Sequence, residues 1–223
     1  MSPLRCLVLV ALLLLPVRGR ACDLALLLAV DVSGSVDPQE YRIQMDGLAA
    51  GLRDWQVREA LVSGQARLAL VQWSGKSRQA LSIPWTRISD DAALEGFARR
   101  IETAERPWRN YSTSIGEVLN VALPLFAEVT GCARRVIDLS GDGPSNEGVA
   151  PAALKPALRA AGVTVNAIAI EESEADLAAY FFEEVILGPG AFVVYAASFK
   201  DYPEQIRRKL LRETVKQTAR LLR

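Results

Sequence analysis

The run Leu24–Asp31 constrains the fold of this 223-residue chain more than any other segment. Leu24 to Val30 are apolar without interruption, the pattern of a strand covered on both faces and so of a parallel sheet. The run ends on a carboxylate, and Val32-Ser33-Gly34-Ser35 follows as a hydroxyl-bearing loop. Asp37-Pro38-Gln39-Glu40 then reads as a capping box with proline at the first helical position. Tyr41, Met45, Leu48 and Leu52 recur at helical spacing, which predicts a helix lying over the strand.

The same alternation continues. Strands are expected over 66–73, 135–140, 163–170 and 190–196. Residues 78–83 read as an edge strand ended by Pro84, because proline cannot donate to a ladder. Ser89 and Asp90 start a helix through about Glu105, and Ile115, Val118, Leu119, Ala122, Leu123 and Phe126 mark another. Further helices are expected over 152–161, stopped by Gly162, over 175–186, and from Pro203 to the C-terminus. The pattern predicts an α/β fold: one doubly wound, Rossmann-like, mostly parallel sheet with an antiparallel edge strand and helices on both faces. In such sheets ligands bind beyond the carboxyl ends of the strands, near the reversal of strand order. Asp31 and Asp142, each at a strand end, can therefore share one site.

Half of the residues are apolar, enough for a single well-buried domain. Residues 1–21 read as a secretory signal, with Arg5 as the basic start, an apolar stretch from Cys6 to Pro16, and Gly19 and Ala21 at the cut before Cys22. That places the domain at 22–223 and predicts a periplasmic or secreted protein, with no transmembrane segment once the signal is removed. The signal holds Arg5, Arg18 and Arg20 and no acid, so Lys+Arg falls from 26 to 23 against 26 Asp+Glu, a net charge of −3. Such a balance gives no support for nucleic-acid binding. Cleavage also removes Cys6 and leaves Cys22 and Cys132, nine residues before Asp31 and ten before Asp142. If the two following strands are parallel neighbours, both thiols lie at one end of the sheet and form a disulfide in an oxidising compartment.

Asp31, Ser33 and Ser35 are all hard oxygen donors from one tight loop, chemistry that suits a hard divalent cation and not zinc or copper. Two later segments join them: Ser112-Thr113-Ser114-Ile115-Gly116-Glu117-Val118-Leu119, and Ile137-Asp138-Leu139-Ser140-Gly141-Asp142-Gly143. Together the three resemble the metal-ion-dependent adhesion site of von Willebrand factor type A domains, over about residues 23–223. A closer likeness is to a subfamily of secreted bacterial proteins of unknown function, carried by Leu27 to Val36, Trp73-Ser74-Gly75, Arg135 to Pro144 and Gly188 to Val194. The resemblance implies Ser33, Ser35 and Thr113 as direct ligands, with Asp31 and Asp142 holding the ion directly or through water. It implies Mg²⁺, with Ca²⁺ or Mn²⁺ as alternatives, and a protein partner that offers an Asp or Glu carboxylate to an open position. Two points depart from the family pattern or stay open. Gly141 stands where the family has Thr, and Ser112 is one residue from Thr113 and also carries a hydroxyl.

Other residues invite plainer readings. Asp138, inside an apolar run, is expected as a buried carboxylate with a partner, and Trp73 and Trp85 as packing. The basic residues of the last segment, Arg207, Arg208, Lys209, Arg212, Lys216, Arg220 and Arg223, are expected on a solvated helix face. The chain has no histidine, which removes His-based triads and His-ligated zinc. A phosphatase of the haloacid dehalogenase kind is the enzymatic alternative, but Ser33 stands where that chemistry wants an acid. An accessory chaperone subunit of an enzyme complex is a third reading by analogy. The sequence thus favours a binding module over an enzyme.

Overall fold

The computed structural model describes residues 22–172 and 174–215. Six strands form one sheet: β1 (Leu24–Asp31), β2 (Arg67–Trp73), β3 (Gln79–Arg87), β4 (Arg134–Gly141), β5 (Val163–Ile170) and β6 (Val193–Ala196). Their order is β3-β2-β1-β4-β5-β6. All neighbours run parallel except β2 and β3, so the antiparallel strand is at the edge, as the sequence predicts.

The helices are α1 (Pro38–Arg53), α2 (Trp55–Ser63), α3 (Asp91–Glu102), α4 (Ile115–Leu125), α5 (Pro151–Ala160), the short α6 (Leu177–Tyr180) and α7 (Tyr202–Thr214). Strand β1 shows why both sheet faces are covered. Leu24, Leu26, Leu28 and Val30 pack with side chains of α1, α2, α3 and α7. Ala25, Leu27 and Ala29 point the other way, toward α4, α5 and α6. Alternate residues of a strand face opposite sides, so a wholly apolar run needs two helical layers. The expected capping box sets the start of α1: Asp37 accepts from the amides of Gln39 and Glu40 at 2.6 and 2.8 Å, and Glu40 accepts from the Asp37 amide at 2.6 Å. Such a cap contributes about 1 kcal/mol and fixes where the preceding hydroxyl loop must end.

Several boundaries differ from expectation. Strand β3 continues through Pro84 to Arg87, because pairing with β2 shifts register between Leu68 and Leu70 and Pro84 lies exposed on the edge at that irregularity. Helix α2 is not anticipated by the sequence reading; it buries only Val57 and Leu61, too sparse a pattern to register, and starts on an Asp54 cap. The helix expected over 175–186 is α6 followed by a wider π-helical turn, Phe181–Val185. The last basic helix is not a uniform solvated face. Lys209 is fully buried, and Arg207 and Arg208 both pair with Glu204. Lys216, Arg220 and Arg223, and the whole expected signal at 1–21, lie outside the described residues.

At the amino ends of β1 and β4 the predicted disulfide is present: Cys22 and Cys132 are bonded, with Cα atoms 4.4 Å apart. Parallel pairing of Leu24 with Arg134 brings both segments to the same end of the sheet. Closing so long a loop restricts the unfolded chain by an amount worth on the order of 4–5 kcal/mol in the chain-entropy account.

Candidate metal centre

The chain leaves β1 for β2 and β3 on one side, then crosses to β4, β5 and β6 on the other. Strand order therefore reverses between β1 and β4, and in open α/β sheets ligands bind beyond the carboxyl ends of the strands at such a reversal. Asp31 is the last residue of β1, and Asp142 follows the last residue of β4.

The structure brings all five expected ligand residues together. The Ser33 amide donates to Asp31 Oδ1 at 2.7 Å. The Ser33 and Ser35 hydroxyls are 3.2 Å apart, and Ser35 donates to Asp142 Oδ1 at 2.8 Å. Thr113 donates its hydroxyl to Ser33 Oγ at 3.3 Å. Asp31, Ser33, Thr113 and Asp142 are buried, while Ser35 faces solvent. Ser112, the alternative to Thr113, is exposed and contributes its carbonyl to the Ser74 hydroxyl.

Close approaches of backbone hold these loops. The Gly34 amide donates to the Tyr111 carbonyl at 2.8 Å, tying the hydroxyl loop to the segment before Thr113. Thr113 is clamped on both sides by Asn146: its amide donates to Asn146 Oδ1 at 3.0 Å and its carbonyl accepts from the Asn146 amide at 2.9 Å. Gly116 lets α4 lie against the following loop, since a Cβ there would stand 1.8 Å from the Val149 carbonyl oxygen. Gly141 also has a steric reason. A Cβ at that position would come within 3.2 Å of Phe181 Cζ and 3.5 Å of Asp31 Oδ2, so the residue that departs from the family pattern makes room for a bulky ring.

Electrostatically the centre is short of positive charge at its deepest point. Asp31 Oδ2 is buried with no hydrogen-bond partner. Burial, and then the neighbouring Asp142 carboxylate, hold the Asp31 carboxyl well above the usual carboxylate range; burial also raises Asp142, against the pull of the Ser35 hydroxyl. Arg106 lies close but spends its guanidinium on the carbonyls of Val32 and Ser33, at 3.0 and 2.7 Å. Burial first, and the Arg109 cation second, lower the Arg106 pKa. Among the described residues no group of three or more His, Cys, Asp or Glu side chains gathers to hold a metal. Two carboxylates and three hydroxyls instead present a set of hard oxygen donors with one oxygen left unsatisfied, which fits a small oxygen-seeking dication.

Sequence reasoning passed over Asn146 and Arg106. Asn146 follows a Gly-Pro-Ser turn, and turn chemistry is the only sign it carries. Arg106 precedes a proline in a connecting segment, and nothing local shows that its side chain reaches back to the β1 loop.

The sheet order, the single antiparallel edge and the loops gathered at the reversal point define a von Willebrand factor type A fold. Solved structures agree. Proximal thread matrix protein 1 (PTMP1) from the mussel byssus is 21% identical with a TM-score of 0.67, covering 85% of this chain and 47% of that one. Another structure of that protein, with a zinc-occupied MIDAS motif, is 19% identical with a TM-score of 0.67, covering 86% and 48%. A von Willebrand factor type A protein from Catenulispora acidiphila is 17% identical with a TM-score of 0.63, covering 87% and 43%. The present chain thus spans about half or less of the length of these proteins. It belongs to the family described as "Protein of unknown function (DUF1194)", whose model matches residues 21–218. No curated protein matches it in sequence.

Proposed function

We propose that this chain is a metal-dependent protein-binding module that works outside the cytoplasm and captures an acidic side chain of its partner. Asp31, Ser33, Ser35, Thr113 and Asp142 would hold a divalent cation, Mg²⁺ by preference, with Ca²⁺ or Mn²⁺ as alternatives. Bound there, the cation would supply an electrophilic centre with a position open to a partner's Asp or Glu carboxylate. The protein's own groups supply the rest. Neutral hydroxyls surround the site without quenching its charge, the Asn146 clamp sets Thr113, and the Arg106 guanidinium fixes the backbone beneath Ser33.

The observation that carries this reading is Asp31 Oδ2, an acceptor sealed from water beside a second carboxylate and without a donor. A buried anion in that position is costly unless a cation is part of the design. The zinc-occupied motif of the mussel protein supports a divalent occupant. The Cys22–Cys132 bond supports an oxidising compartment, and no helix of the described residues is long and apolar enough to cross a membrane. A non-enzymatic role is part of the proposal, and the short supply of proton-transfer groups supports it: Ser33 stands two residues after Asp31, where a phosphatase would need an acid.

The test is capture from extracytoplasmic extract by the immobilised chain, with Mg²⁺ and with chelator, beside an Asp31→Ala control. The proposal expects proteins that are retained with Mg²⁺ and lost with chelator or in the variant. Retention unaffected by either change would overturn it.

A further inference from the structure

Beside the metal centre, a cavity of about 410 Å³ opens between the first turns of α1 and the segment that joins α3 to Thr113. Arg42, Arg106 and Arg109 line it, with Tyr41, Pro38 and Glu105. Three guanidiniums around one space meet a single lining carboxylate. They differ in how far they are already engaged. Arg42 bonds to Asp46 and donates to the Glu102 carbonyl at 2.7 Å. Arg106 uses Nη2 on the Val32 and Ser33 carbonyls, and its Nε is buried with no partner. Arg109 is exposed and makes no ion pair or hydrogen bond among the described residues. Arg106 and Arg109 are near enough to repel one another, although the Asp31 and Asp37 carboxylates partly offset that repulsion at Arg106. Neither arginine makes a direct ion pair with a carboxylate among the described residues, so both guanidiniums keep hydrogen-bonding capacity to spare.

The cavity and the metal centre share one piece of backbone. Arg106 grips the Ser33 carbonyl, and the Gly34 amide bonds Tyr111, two residues beyond Arg109. A ligand whose carboxylate reaches the hydroxyl loop therefore passes the mouth of the arginine cavity. Of the acids near the centre, Asp37 and Glu40 lie at the start of α1, where Glu40 holds the Asp37 amide. Glu172 follows β5, on the far side of β4, and Glu40 interacts with Glu172 and Asp142. By contrast the arginine segment lies over β1 and β2, held by Gln72 through the Glu105 carbonyl at 3.0 Å and by Tyr41 through the Ala104 carbonyl at 2.9 Å.

We infer that the partner is an acidic peptide segment carrying two carboxylates, one for the metal and the second for the Arg106–Arg109 cavity. The inference rests on the metal-capture reading and adds the partner's chemistry and orientation to it. Guanidinium forks match a carboxylate in geometry as well as charge, so the second acid gives specificity and not merely attraction. Its neighbour on the β5 side would meet Glu172, which disfavours acid there and fixes the direction in which the segment lies.

Titration calorimetry on the full chain with Mg²⁺ tests this. The probes are capped peptides with Asp followed, after one, two or three glycines, by Glu, and their matched controls with Gln in place of Glu. At one spacing or more the two-acid peptide should bind about tenfold more tightly than its Gln control. In Arg109→Ala that advantage should shrink below about threefold, and in Arg109→Glu it should vanish. The Mg²⁺-induced rise in melting temperature should be unchanged in both, since Arg109 is exposed and outside the metal centre. Chelator-sensitive binding with no preference for the second acid at any spacing overturns this inference alone, as does a preference that survives Arg109→Glu. Absence of chelator-sensitive binding by every peptide overturns it together with the metal-capture reading.

Discussion

Lys209 Nζ lies 2.6 Å from Asp138 Oδ1 in an interface between α7 and β4 from which water is excluded. The same ammonium is 2.8 Å from Glu213 Oε1, one helical turn on, and that oxygen also accepts from Asn166 Nδ2 at 2.8 Å. One buried cation therefore faces two buried acid side chains, Asp138 and Glu213. Asp138, expected from the sequence to be a buried acid with a partner, has found it on the last helix.

Lys209→Met keeps length and apolar bulk but leaves both acids without a cation. Breaking a buried pair from one side costs about 3–5 kcal/mol, because the remaining charge stays in place. Urea unfolding should show a loss of that size, and Asp138→Asn combined with Lys209→Met should recover part of it. A single variant as stable as the parent would show that the network contributes nothing.

The network also sets a pH dependence. Burial first, and Asp138 second, push the Glu213 carboxyl up to about 8. An acid raised in the folded state is stabilising while protonated, so its contribution is full below the ordinary value of about 4.5 and is lost as pH rises toward 8. Glu213→Gln mimics the protonated form. It should match the parent near pH 5 and exceed it in melting temperature near pH 8.5. Parallel stability curves for the two proteins would contradict this.

Asp31→Asn separates metal binding from folding. Removing a charge that burial and Asp142 both disfavour should leave the metal-free protein at least as stable as the parent at pH 8. The stabilisation by Mg²⁺, about 2.7 kcal/mol at a hundredfold excess over Kd, should disappear. A variant whose melting temperature still rises with Mg²⁺ like that of the parent would exclude Asp31 from the centre.

Replacing both Cys22 and Cys132 by Ser should lower stability by about 2–5 kcal/mol, and reductant should have the same effect on the parent. The double variant should be insensitive to reductant. Equal melting temperatures for parent and double variant would deny the bridge a stabilising role.

The sequence made legible what depends on local pattern. The β1 run and the cap at Asp37 placed the first strand and helix, and alternation along the chain placed the remaining strands in a mostly parallel sheet with one antiparallel edge. The five residues that gather at the candidate centre were visible because each lies in, or at the edge of, a short loop of recognisable composition. What escaped was set by distant contacts. Helix α2 carries too few buried residues to show a period, Pro84 stays in a strand through a register shift, and Lys209 reads as surface charge until β4 is laid against it. Arg106 was missed for the same reason, since its target is the backbone at Val32 and Ser33, more than seventy positions earlier.

The Cys22–Cys132 bond joins the two central strands that carry Asp31 and Asp142 at their opposite ends. A pull applied through residue 22 is shared at once between both strands, and neither can slip past the other at its root. Under tension the register of the two central strands should therefore hold to a load at which an unbridged pair would shear.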